Sequence, residues 1–258
     1  AVLILAETGI HGIVSITDNG TANRDIYVES EQEIGGLLES AGVDQVDYRT
    51  AIVNPLVRNE EILYQLNGMS MYSSTNTEEM WNFVKNMGFE NLENRFQYAG
   101  STEVMDMLLG IRYLFCRNTR TLHTAYKKIA ESQSFDLYEN PRALRSGYMV
   151  SDSVLDYAME GTDPLEVQNR LLSGIVGKRL YKMQTVNSDT ALIGNTTFNI
   201  HLKKGEHGYL YIPGTEPDTV TINGQEQKSD YWNNNFLDLG TYNVDTIVQV
   251  TTGTGMHE

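Results

Sequence analysis

The chain has 258 residues, 34 of them acidic and 19 basic, for a formal net charge of −15. That excess offers no counter-charge to a phosphate backbone or an anionic headgroup, which argues against nucleic acid as a partner. Apolar residues make up 40% and charged residues 21%, a globular mixture that can offset chain entropy and so argues against disorder. The length suits two domains. Cys116 is the single cysteine, so there is neither an internal disulfide nor a thiolate metal cage. Inside RYLFC it reads as a small buried hydrophobe. No run approaches the roughly 18 apolar residues that cross a bilayer; the longest candidate is the opening AVLILA. A start on Ala1, with no initiator Met and no positively charged leader head, predicts a segment of a longer protein.

Along the chain, Ser30 and Glu33 form an S-x-x-E capping box ahead of Ile34, Leu37, Leu38 and Ala41 at helical spacing, with Gly42 as the stop. QVDYRTAIV alternates and predicts a half-buried strand. A second helix is predicted from Asn76 as cap, with Met80, Phe83, Val84 and Met87 on one face and Gly88 as its end. A third, shorter helix follows Ser101, using Val104, Met105, Leu108 and Leu109 up to Gly110. Ile111 to Cys116 then reads as a strand. YKKIA, FDLYE and GYMV predict short strands, a helix over 121–131 remaining open. Asp163 caps a helix with Pro164 at its first position, running through Leu171.

Beyond about Leu180, alternating Thr, Val, Ile, Phe and Tyr broken by Gly and Asn predict an all-β unit. TFNIHL and YLYIP read as a hairpin about KKGEHG. VTI and the residues after Gln225 read as another about Asn223-Gly224, a pair suited to a type I′ turn. The expected class is α+β: a mixed α/β portion over residues 1–179, then a β-sandwich over 180–258.

The histidines, His11, His123, His201, His207 and His257, show no metal-binding spacing, although His201 and His207 flank one predicted hairpin. A nucleophile elbow, a Walker loop and a dinucleotide fingerprint are all missing, and no cofactor is implied. Carboxylates are plentiful, but paired-carboxylate catalysis needs a defined separation that spacing alone does not supply. More suggestive is MSMYSSTN, Met69 to Asn76, where hydroxyls and amides precede a helix N-terminus able to meet anions or sugar hydroxyls; capping and turn chemistry is the plainer account. Tyr231 and Trp232, beside Asn233 to Asn235, form an aromatic and amide patch suited to sugars, or else a buried Trp with a polar loop. The candidate glycan contacts are therefore Tyr72, Ser73, Ser74 and Asn76, then Asn140 and Arg142 in the loop after FDLYE, then Tyr231 and Trp232. No catalytic residue and no metal ligand is assigned.

Five segments in order carry a resemblance: VDYRTAI, NGMSMYSSTN, GSTEVMDMLLGIRYL, LYENPRALRSGYMV and YLYIPGTEPDTVTINGQ. Together they resemble the extracytoplasmic region of the YfhO family of bacterial multi-pass membrane proteins. Two departures stand out. There is no Trp between Pro213 and Asn223, where the family's terminal hairpin carries one, and Leu144-Arg145 replaces the family's Leu-Pro. The resemblance implies a parent similar to glycosyltransferases that draw sugars from polyprenyl-phosphate carriers and decorate teichoic acids or other surface polymers. In that class the catalytic acid lies in loops between early membrane spans, so none is carried over to this chain. The implied partners are the membrane-embedded portion of the same parent and a cell-surface glycan or lipid-linked sugar. The implied place is the outer face of the cell membrane. The rival readings are a freestanding secreted carbohydrate-binding or adhesion module, a soluble glycoside-active enzyme and a purely structural spacer.

Overall fold

The computed structural model describes residues 2–18, 23–43, 45–53, 55–92, 95–99, 101–117, 126–156, 161–184, 186, 190–192, 195–212, 219–227 and 236–253. Two helices open the chain, α1 (Val2–Asp18) and α2 (Arg24–Ala41). The second begins earlier than the capping box predicts, because Asn23 already supplies a cap by accepting the Asp25 N–H at 3.0 Å. Ser30 consequently lies buried inside the helix. Glu33 turns instead to three donors, Ser132 Oγ, Ser134 N and Ser134 Oγ, at 2.5 to 2.8 Å. Gly42 ends the helix at φ +62°, as expected.

The first sheet has the order β1 (Arg49–Val53), β5 (Ile111–Arg117), β7 (Phe135–Glu139), β6 (Lys127–Glu131). β1 runs parallel to β5 and the other pairs are antiparallel. Ile34 and Leu37 of α2 cover one face, packing with Ile52, Phe115, Phe135 and Leu137. Ala51, Val53, Leu114 and Cys116 line the other. Cover on both faces explains why β1 is buried at four successive positions rather than alternately, as a parallel edge enclosed on two sides requires. Cys116 is free and buried within it. GYMV, residues 147–150, is not a strand and is exposed. The outer edge of β1 is already occupied, with Thr50 N–H bonded to the Asn67 carbonyl at 2.9 Å and Ile52 N–H to the Glu61 carboxylate at 3.1 Å.

Between β1 and β5 lie α3 (Glu60–Leu63), β2 (Met71–Tyr72), α4 (Glu78–Asn86), β3 (Glu90–Leu92), β4 (Arg95–Gln97) and α5 (Glu103–Leu108). The three short strands form a second sheet in the order β2-β4-β3. Thr77, not Asn76, caps α4, its Oγ1 accepting the Met80 N–H at 3.3 Å. Val84 and Met87 are buried as predicted, whereas Met80 is exposed. α6 (Pro164–Val176) starts on the expected Asp163 cap and runs beyond Leu171 to a stop at Gly177, φ +73°. Its Val167 and Leu172 pack with Met87, Phe89, Phe96 and Met105 in one cluster.

The remaining strands are β8 (Thr190–Leu192), β9 (Asn195–Leu202), β10 (His207–Tyr211), β11 (Thr219–Ile222), β12 (Gln225–Gln227), β13 (Phe236–Thr241) and β14 (Thr246–Gly253). Five of them order as β12-β11-β14-β9-β8, and β10 pairs with β13 in a second sheet. Leu202, Val220, Val248 and Val250 of the larger sheet share a core with Leu237 and Leu239 of the smaller. The Asn223-Gly224 hairpin is present, with both residues at positive φ, +51° and +77°. The other predicted hairpin is not: β9 is flanked by β14 and β8, so β10 has no free edge of β9 to join and crosses to β13. The close approach falls at Gly208, where a Cβ would lie 2.7 Å from Leu202.

The α5-to-β5 turn depends on Gly110, which adopts φ +69° and approaches the Leu144 carbonyl so closely that a Cβ would stand 2.8 Å from it. Gly110→Ala is expected to cost about 2–3 kcal/mol, from left-handed backbone strain plus a steric push on main chain. Urea denaturation of the two proteins checks this, and an unchanged midpoint would contradict it.

Candidate functional site

The loop singled out in the sequence is built around Tyr72. β2 pairs with β4 on one side, Tyr72 opposite Arg95. On the other side Asn59 takes the place of a strand: its Nδ2 donates to the Tyr72 carbonyl at 3.0 Å, and its Oδ1 accepts the Tyr72 N–H at 2.6 Å. Asn59 achieves this at φ +61°, a conformation that asparagine tolerates better than most residues. With its backbone held twice, Tyr72 projects a ring that is 45% exposed, with the Arg58 guanidinium 5.0 Å from its centroid. Arg58, Asn59, Met71, Arg95 and Gln97 border the Tyr72 ring in a shallow crease too narrow to hold a water. Two arginines thus stand beside an aromatic edge in a chain of net charge −15.

Ser73 and Thr75 close the next turn, Oγ to Oγ1 at 2.8 Å, with the Thr75 N–H donating to Ser73 Oγ at 3.2 Å. Ser74 is exposed. Thr77 has taken the cap, and the Asn76 Nδ2 is enclosed with no acceptor among the described residues. This arrangement offers hydroxyls and a ring edge within one turn. It suits hydroxyl-rich ligands and contains no nucleophile paired with a base.

A second polar centre surrounds the N-terminus of α5, which Thr102 caps through its Oγ1. The Thr102 hydroxyl also meets Gln168 Oε1 at 3.0 Å and the Tyr181 hydroxyl at 2.7 Å. The Tyr209 hydroxyl of β10 accepts the Glu103 N–H at 3.0 Å. One turn further, Asp106 is buried and accepts from Ser101, Tyr98 and Tyr126 hydroxyls at 2.5 to 2.6 Å. Burial pushes its carboxyl up to about 6 although these three bonds pull the other way. At the rim, His207 bonds Asp238 at 2.6 Å and Thr241 at 2.9 Å, and lies 3.4 Å from Glu103. Burial lowers the His207 pKa, but Asp238 and Glu103 outweigh it and the net shift is upward.

A family profile described as bacterial membrane protein YfhO matches residues 1–255. The chain belongs to the YfhO family. No curated protein and no solved structure matches it. Family membership therefore places it among bacterial membrane proteins, and among the described residues no helix is long and apolar enough to cross a membrane.

The loop candidates Tyr72, Ser73, Ser74 and Asn76 stand together. Arg142 belongs to the other centre, pairing with Glu103 at 3.4 Å while 66% exposed. Asn140 is buried and spends its side chain inside its own turn, donating to the Ile111 carbonyl at 3.3 Å and accepting the Arg142 N–H at 3.0 Å. Tyr231 and Trp232 lie outside the described residues. His201 and His207, expected on one hairpin, sit in different sheets. Sequence reading missed Arg58, Asn59 and the Asp106 centre. The only signal for the latter was the 15 tyrosines, whose hydroxyls require acceptors when buried.

Asp106 holds its proton more tightly folded than unfolded. Its contribution to stability is therefore full below about pH 4 and is lost as pH rises through about 6. Asp106→Asn removes that dependence, so the stability of wild type should fall relative to the variant between pH 4 and 6.5, and the gap should then level off. Asp106→Ala leaves three hydroxyls without their acceptor and should cost about 2–4 kcal/mol at pH 7. Urea denaturation across pH measures both, and parallel pH profiles for wild type and Asp106→Asn would contradict the assignment.

Proposed function

We propose that this part of the YfhO-family protein lies on the outer face of the bacterial cell membrane and positions a glycan or acceptor beside a membrane-embedded active site of the same parent. It orients and does not react. The supporting observation is the clamped, half-exposed Tyr72 with Ser73, Ser74 and Asn76 in the following turn and Arg58 over its ring. Rigid presentation of such groups reduces the ordering cost of binding. The ring edge suits sugar C–H faces, while the arginines and hydroxyls suit sugar hydroxyls or an anionic substituent on a surface polymer such as teichoic acid. A lipid-linked sugar presents the same chemistry.

A structural spacer is the alternative that the α5 centre supports, since that centre consumes its polar groups internally. Titration of the ¹⁵N-labelled chain with purified wall polymer and with a neutral oligosaccharide separates the two. The expected outcome is a set of amide shifts confined to residues 58–59, 70–77 and 95–97, weakened at least tenfold in affinity by Tyr72→Ala (about 1.4 kcal/mol). No shift with either ligand would leave the spacer.

A further inference from the structure

Glu61 is 2% exposed, and both of its carboxylate oxygens are engaged by the protein. Oε1 accepts the Ile52 N–H at 3.1 Å and the Ser70 hydroxyl at 3.0 Å, and Oε2 accepts the Ser70 N–H at 2.7 Å. Ile52 belongs to the edge strand β1, and Ser70 immediately precedes β2. Ser70 Oγ in turn accepts the Tyr98 N–H, just past β4, at 3.1 Å. One carboxylate therefore ties the first sheet to the root of the Tyr72 loop. The slot is tight: a Cβ on Gly68 would stand 2.3 Å from Glu61 Oε2.

We propose that Glu61 is a proton-operated latch on the Met69–Asn76 loop, clamping its root to β1 when ionised and releasing it when protonated. The two main-chain donors address different oxygens, and only a carboxylate accepts strongly at both. A neutral carboxyl keeps one good acceptor, while its hydroxyl oxygen accepts far more weakly and carries a proton of its own, so one of the two N–H bonds is weakened. Ile52 is fixed by its pairing with Phe115 in the β1–β5 ladder, and Ser70 lies outside any ladder, so Ser70 is the one to move.

The opposing influences are visible around the group. Burial disfavours the charge, and Glu60, the next residue of α3, adds a like charge; the three bonds favour ionisation. Arg117 of β5 is paired with Glu60, as is the Tyr64 hydroxyl at 3.0 Å, so both are directed at the neighbour. The balance brings the carboxyl to about 7, where both forms are populated near neutrality. The latch deepens the glycan-positioning reading by adding its regulation, and it rests on that reading for its biological consequence alone.

Amide spectra of the ¹⁵N-labelled chain from pH 5.5 to 8.5 test it without ligand. The Ile52, Ser70 and Tyr72 amides are expected to shift with one shared midpoint near 7. Ser70 hydrogen exchange, corrected for its intrinsic pH dependence, should be at least fivefold faster at pH 6 than at pH 8. Glu61→Gln should abolish the shared midpoint. Should that variant not fold, Ser70→Ala, which keeps the N–H bond but removes one donor that favours the charge, should raise the midpoint. Amides insensitive to pH in wild type, a midpoint that survives Glu61→Gln, or one unmoved in Ser70→Ala would overturn the latch. Glycan titration at pH 6 and 8 separates the two ideas. Titrating amides with no glycan response would uphold the latch and remove the binding role. Flat amides with equal binding at both pH values would do the reverse.

Discussion

An edge strand that is buried on both faces cannot leave its outward amides without acceptors, because water is not there to replace them. β1 is such a strand, and its outward N–H groups end on the Asn67 carbonyl and the Glu61 carboxylate. Much of the middle of the chain follows from that requirement. α3 has to carry Glu61 against β1, Gly68 has to be bare to let the carboxylate in, and Ser70 is brought to a fixed point from which β2 starts. The exposed Tyr72 loop is thus the outer end of a chain of hydrogen bonds that begins in the core.

The α5 centre solves a second problem of the same kind. A helix N-terminus and a buried carboxylate both need partners, and here hydroxyls supply them: Thr102 for the cap, and Ser101, Tyr98 and Tyr126 for Asp106. Tyr181 and Tyr209 join the same centre from beyond α6 and from β10, which ties the β unit to the earlier portion. Raised carboxyl pKa values of this sort often mark catalysis. Here burial in the fold raises the Asp106 carboxyl against the pull of its three donors, so its perturbation is accounted for by architecture, and burial raises Glu61 within its slot in the same way.

These two centres turn their polar groups inward, whereas the Tyr72 loop keeps a half-exposed ring and an exposed serine. The proposed positioning role would draw on that loop, and the surplus negative charge would disfavour an anionic ligand elsewhere on the surface. Arg58 and Arg95 beside the Tyr72 ring are a local exception to that charge.

Local signals were legible wherever a short stretch decides its own conformation. Gly42, Gly88 and Gly110 stop helices, Asp163-Pro164 starts one, and Asn223-Gly224 makes its hairpin, because each rests on the dihedral or donor properties of one or two residues. The α+β class was legible for the same reason, whereas the stretch Met69–Asn76, read as a loop, contains strand β2, whose partner β4 lies beyond α4 in the chain. Ser30 with Glu33 shows the limit: a valid capping pattern lost to Asn23 upstream and to the serines of the β6–β7 turn about 100 residues away. Strand partners, such as β10 with β13 instead of β9, depend on which edges remain free after other pairs form. Residue spacing by itself determined where helices and turns begin and end. Only the tertiary structure decided which carboxylates are buried and which amides they hold, since those contacts join segments whose separation in sequence carries no record of their distance in space.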